Sequence, residues 1–141
     1  MKLNFKYSIC FLFFALFMNA CSKDTAKYEV DLSYQMLADK TWYLDYQQTI
    51  TGTSIKQQTY VGQSTYFVNF LKDHTTSDSD GLTGSYQIQK SNGVLSIQVN
   101  AIITSTKTQT YTYNIESIGA KNLVISYQIG TQTVKRYFKN R

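Results

Sequence analysis

The side chains that could do chemistry are few and widely spaced. The single histidine, His74, stands beside Asp73 in the polar run KDHTTSDSDG, residues 72–81. A Ser-His-Asp relay there would have to draw on Ser77 or Ser79. No strand-turn-helix elbow surrounds either serine, and one loop cannot hold three catalytic groups rigidly. Asp78 and Asp80, just before Gly81, suggest a calcium loop, but the ligand pattern would then open on Thr76 and close on Gln87, neither of which fits. A solvated loop is the better account. There is no glycine-rich phosphate cradle and no paired-carboxylate constellation, so the sequence assigns no catalytic residue, metal ligand or cofactor, and no enzyme is expected.

The most informative reactive residue is Cys21. The segment MKLNFKYSICFLFFALFMNAC carries Lys2 and Lys6, then an uncharged apolar run from Ile9 to Met18. A basic start, an apolar stretch and a small residue before a cysteine describe a secretory signal peptide. The run is well under the roughly 20 residues needed to span a bilayer. Met18-Asn19-Ala20-Cys21 resembles a bacterial lipobox, in which the cysteine is acylated, with chains such as palmitate, and becomes the first residue. Each buried CH₂ adds roughly 0.8 kcal/mol of membrane affinity, so several chains anchor durably. An ordinary signal peptide with an incidental cysteine is the alternative. Ser22-Lys23-Asp24 resembles the short charged signal that follows the lipidated cysteine in surface lipoproteins of Bacteroidetes-type bacteria. The expected address is therefore the outer membrane, facing the cell surface, with the periplasmic face left open. Residues 22–29, SKDTAKYE, read as a polar tether. The expected division is a signal peptide over 1–20, a lipidated N-terminus and tether over 21–30, and one folded domain over 31–141.

Cys10 would leave with the signal and Cys21 would be consumed by acylation. The domain then has no thiol catalysis, thiolate metal site or disulfide, and must hold itself by burial alone. Without Lys2 and Lys6, twelve of the fourteen basic side chains remain against nine acidic ones, a net of about +3. Lys135, Arg136, Lys139 and Arg141 cluster at the end. No basic stripe with interleaved aromatics suggests nucleic acid.

The elements that must position these residues are mostly strands. The chain contains no proline and is rich in Thr, Tyr, Gln, Ser, Ile and Val, which suit a pleated, half-buried surface. One short helix is expected in DLSYQMLADK, capped by Asp31, with Leu32, Met36 and Leu37 on its apolar side. From Thr41 the period becomes two, with Trp42, Leu44 and Tyr46 on one face. Residues 55–61 and 64–71 are further strand candidates, separated by Gly62. Asn92-Gly93 predicts a type I′ hairpin that pairs Lys90 with Leu95, Ile88 with Ile97 and Tyr86 with Val99. Gly130-Thr131 predicts a type II′ hairpin pairing Tyr127 with Val134, Ile125 with Arg136 and Leu123 with Phe138. Tyr111, Tyr113 and Ile115 share the inner face with Ile125 and Tyr127 only if a bulge near Gly119 absorbs one residue. About eight strands in a meander close most economically into an up-and-down antiparallel barrel, all-β with one short N-terminal helix. An open two-sheet β-sandwich is the alternative.

From Lys40 to the C-terminus the chain resembles the lipocalin-like lipoproteins of Bacteroidetes-type bacteria, small β-barrel domains mostly without assigned activity. The resemblance rests on the short helix entering Thr41-Trp42-Tyr43, the spacing from Phe70 through Asp73 and Gly84-Ser85-Tyr86 to Leu95 and Ile97, and a final strand bearing Arg136. It implies that Arg136 packs on Trp42 and closes the barrel bottom, a cation–π contact. An eight-stranded barrel holds either its own side chains or one small molecule. The expected inward tyrosines, Tyr46, Tyr86, Tyr111, Tyr113 and Tyr127, could line an amphipathic pocket or fill the interior. Two functions follow: a non-catalytic binding module for a small amphipathic or hydrophobic ligand, or a packed barrel that presents exposed tyrosines such as Tyr43, Tyr60 and Tyr137. The second would bind glycan, another envelope protein or a host protein, an inhibitor among the variants.

Overall fold

The computed structural model of the protein describes residues 24–60 and 66–141. The expected signal peptide over 1–20, the acylation site Cys21 and the break at Gly62 lie outside the described residues. Helix α1 covers residues 24–37. It is followed by β1 (Lys40–Thr51), β2 (Ser54–Thr59), β3 (Phe67–Phe70), β4 (Thr75–Asp78), β5 (Thr83–Ser91), β6 (Val94–Thr104), β7 (Lys107–Ile118), β8 (Asn122–Ile129) and β9 (Gln132–Asn140).

All of these strands except β2 form a closed eight-stranded antiparallel barrel. Consecutive strands pair from β3 to β9, and β9 returns to β1. The other edge of β1 is shared, its first half pairing with β3 and its second half with β2. Between them, the Tyr60 amide donates to the Asp45 carbonyl (2.7 Å) and the Leu44 amide to the Tyr66 carbonyl (3.1 Å). The two strands thus follow one another along a single edge. β2, SIKQQT, is exposed throughout, and its polar side chains suit an edge that stands out from the barrel.

Local turn chemistry sets the hairpins. Asn92 and Gly93 both take positive φ, +50° and +79°, and β5 pairs with β6 in the register counted outward from that turn. Gly130, at φ +58°, opens the β8–β9 hairpin, which pairs Ile125 with Arg136 and Leu123 with Phe138. The β7–β8 register shifts between Ile115 and Ser117. The expected bulge is thus present, centred on Glu116 within the strand rather than in the loop at Gly119. Ser126 donates to Glu116 at 2.6 Å, which holds the extra residue outward.

Three expectations need correction. The polar run 72–81 contains β4, whose Thr76 is buried and donates from its hydroxyl to the Asn69 carbonyl (2.8 Å). Pairing to β3 and β5 makes the strand, without any apolar side chain of its own. The helix is also longer than DLSYQMLADK, and residues 24–29, read as tether, are helical. Its inward side is Val30, Ser33, Tyr34 and Leu37, spaced i, i+3, i+4, i+7, while Leu32 faces solvent and Asp31 lies inside the helix instead of capping it. Third, an extra residue in β1, Asp45, shifts the register against β9 between Leu44 and Tyr46. Every side chain beyond it changes face: Tyr46 lies on the outer wall, stacked on Tyr137 with centroids 4.0 Å apart.

α1 covers one pole of the barrel. Leu37 and Trp42 are wholly buried there with Leu44, Phe70, Tyr86, Ile97, Leu123 and Phe138. The Trp42 indole donates to the Leu37 carbonyl at 3.0 Å. Lys90 and Glu29 form an ion pair that ties the helix to the β5–β6 hairpin. Among the described residues the core runs from Ser33 to Phe138, so one closed unit contains it.

Candidate functional site

The pole opposite α1 is built differently. The last cross-strand pair between β7 and β8 is Asn114–Ser126. Beyond it, Lys107–Tyr113 of β7 follow β6, while Tyr127–Ile129 of β8 follow β9. The two strands part, and the wall opens into a cup. That cup is an open groove in the side wall, about 530 Å³ in volume, where Tyr111, Tyr113, Tyr127 and Arg136 meet the outward-facing Thr110, Thr112, Asn114, Ser126 and Gln128. Below it lies a small internal cavity of about 40 Å³, bounded by Tyr66, Val68, Asp78, Val99, Ile125 and Phe138 and sharing Tyr111, Tyr113 and Arg136 with the cup. The barrel is therefore packed at the helix pole, and its side wall is open where β7 and β8 part.

Of the five tyrosines expected inside, three meet at the mouth. Tyr113 and Tyr127 pack edge to face at 5.4 Å, and Tyr111 stacks at 6.4 Å on Tyr113. Tyr86 belongs to the filled pole, where its hydroxyl donates to the Leu71 carbonyl (2.9 Å) and its ring meets Phe70 at 4.9 Å. Tyr46 is outside, for the reason given above.

Arg136 turns inward, as its pairing with Ile125 requires, but it does not reach Trp42. The β1–β9 register sets Trp42 opposite Asn140 and Arg136 opposite Gln47, and four residues of strand separate them by about 13 Å. The cation over Trp42 is instead Lys40, 5.5 Å from the ring. The Arg136 guanidinium lies between two aromatic faces, 5.2 Å from the Tyr66 ring and 5.4 Å from Tyr127, and its Nε donates to Gln47 Oε1 at 3.0 Å. Tyr66 and Gln47 are the mouth residues that sequence reasoning left out. The alternation Tyr66-Val68-Phe70 was the available signal for the first. Gln47 carries no such signal, because it faces inward only by virtue of the Asp45 bulge.

The electrostatics of the mouth follow from these contacts. Burial pushes the Tyr66 phenol well above its ordinary value, although Arg136 pulls the other way. Burial likewise raises Tyr113, again against Arg136. Both hydroxyls stay protonated through the physiological range. All nine carboxylate side chains of the sequence lie in the described residues, and none forms an ion pair with Arg136. Asp78, the acid nearest to hand in the cavity wall, is committed elsewhere. It accepts from the amides of Asp80 (3.0 Å) and Leu82 (2.9 Å) and from the Tyr66 hydroxyl (3.2 Å).

His74 sits far from the mouth. It takes φ +64° in the β3–β4 turn and stacks on Tyr34 of α1 at 4.9 Å. Asp73 turns back to bond the Thr75 amide and hydroxyl. Neither residue points to a nucleophile. Compared with protein-family models, curated proteins and solved structures, the chain matches none.

Proposed function

We propose that this chain is a lipid-anchored envelope protein that holds one small amphipathic ligand in the mouth of its barrel and does not turn it over. The cup between β7 and β8 carries the reading. Its tyrosines offer apolar rings with polar tips beside the Arg136 guanidinium. The filled helix pole argues for a ligand seated at the mouth rather than threaded through the barrel.

The anchoring half of the proposal rests on Lys2, Lys6, the apolar run and Cys21. An acylated Cys21 stands three residues before the first described residue of α1. The membrane would then lie on the helix side and the mouth would face away from it. Ser22-Lys23-Asp24 favours the cell surface over the periplasmic face, and kinship with the lipocalin-like lipoproteins belongs to the same proposal. A second reading, a surface that binds glycan or protein, is favoured by the outer aromatics. The Tyr46–Tyr137 stack shares the outer wall with Tyr43, which packs on Phe67 at 5.9 Å.

The test is native mass spectrometry of the chain from Ser22 onward, which contains the whole described core, purified from its own host without detergent. An added mass that is lost on denaturation is the expected result. A bare mass that takes up nothing from a lipid and metabolite extract would transfer the case to the outer aromatic wall.

A further inference from the structure

The mouth contains a cation, Arg136, that no carboxylate meets at ion-pair distance, although Asp78 borders the same internal cavity. Arg136 is half-buried, contacts two tyrosine rings, and spends one of its five N–H donors on Gln47. A guanidinium presents those donors in a planar fork suited to a carboxylate or sulfonate. An interior cation usually acquires a carboxylate, because an unpaired charge is costly to desolvate. Here none is within ion-pair distance, and Asp78 is held by its own turn and by Tyr66.

From this we infer that the ligand is an organic monoanion with a compact apolar body, its acid group seated on Arg136 and its body on the faces of Tyr111, Tyr113 and Tyr127. The inference rests on the proposed cup and names what the cup selects. One guanidinium calls for one negative charge. The limited space below the cup, about 40 Å³, calls for a body of one or two rings rather than a long alkyl chain. Tyr66 links the two ends of the arrangement: its hydroxyl donates to Asp78, while its ring supports the guanidinium.

The experiment uses two fluorescent probes that share one ring system, anilinonaphthalene sulfonate and the uncharged phenylnaphthylamine, titrated into the chain from Ser22 onward. The wild type should bind the sulfonate about 10- to 100-fold more tightly than the neutral probe, the range for a charge-assisted contact. Arg136→Gln should abolish that preference, and Arg136→Lys should keep part of it. A wild-type preference below about threefold, under half the free energy of a tenfold ratio, or sulfonate affinity unchanged in Arg136→Gln, overturns the inference and leaves the cup standing. If neither probe binds the wild type, the cup reading itself falls. If Arg136→Gln does not fold, the wild-type ratio and the Arg136→Lys variant decide: Lys retains the charge without the fork, so a ratio equal to wild type would overturn the role given to the guanidinium.

Discussion

Truncating Leu37 tests whether α1 is part of the barrel or merely leads into it. The side chain is wholly buried and seals the pole over Trp42. The change to Ala keeps the hydrogen bond from the Trp42 indole, because the acceptor is the Leu37 backbone carbonyl. Only packing is removed. Three carbon atoms leave water-free surroundings, roughly 2.4 kcal/mol at about 0.8 kcal/mol each, and the residual cavity brings the expected cost to about 3–4 kcal/mol, inside the range for buried Leu→Ala. Ala is the better helix former, but that offsets only a few tenths of a kcal/mol. With a urea dependence of roughly 2 kcal/mol per molar for a domain of this size, the unfolding midpoint should fall by about 1.5–2 M at unchanged slope. Urea unfolding followed by Trp42 fluorescence and by circular dichroism measures both. A midpoint shift under about 0.3 M, the size expected of a surface change, would mean that α1 does not seal the core, and the reasoning that makes this pole the filled one would be refuted.

Three further expectations follow from single features. A Cβ on Gly84 would lie 2.2 Å from the Asn100 carbonyl oxygen and 3.0 Å from the Ala101 Cα, both backbone; Gly84→Ala should therefore cost about 1–3 kcal/mol, whereas Gly119→Ala, whose nearest neighbour is 4.0 Å away, should stay within about 0.5 kcal/mol, and equal losses in thermal unfolding would contradict the clash. Burial raises the phenols of Tyr66, Tyr86 and Tyr113, so the folded protein holds these protons more tightly than the unfolded chain. That stabilisation is complete below the ordinary tyrosine value near about 10 and is lost as pH rises through the folded values; stability that stays flat across the alkaline titration of tyrosinate absorbance would count against their burial. Finally, Cys21→Ala should abolish palmitate labelling and move the protein from the membrane to the soluble fraction, and a variant that remains membrane-bound would sink the anchoring proposal.

What could be read from the sequence was whatever local chemistry decides. Asn92-Gly93 and Gly130-Thr131 admit few backbone geometries, so each turn fixes the register of its own hairpin, and Tyr86–Val99 and Ile125–Arg136 follow by counting. Even the β7–β8 bulge was legible, because two inner faces would otherwise fail to meet. The failures have one cause: they depend on partners remote in sequence. β4 has no apolar residue and exists because β3 and β5 flank it. The Asp45 bulge becomes visible only once β9 lies alongside β1, and it alone puts Tyr46 outside and Gln47 inside. The stagger at that same closing seam separates Arg136 from Trp42. The helix was underestimated for a different reason. Its inward face uses Ser33 and Tyr34 beside Leu37, which do not look like a core stripe.

A different seam, between β7 and β8, opens the wall at the mouth. Beyond Asn114–Ser126, β7 and β8 belong to different hairpin partners, so the upper wall is two sheets joined only below. Two such sheets could still close over an apolar filling, and at position 134 they begin to, with a buried Val. At position 136 the inner face carries a guanidinium instead, supported by rings and an amide. An aliphatic side chain there would satisfy the barrel without any need for Gln47, Tyr66 or Tyr127 to converge on one point. Natural sequences set aside local packing rules chiefly where a site requires it. Departure from the filling pattern, an open wall and a cation without an ion pair coincide at one place on this barrel, and that coincidence is the physical argument for binding at the mouth.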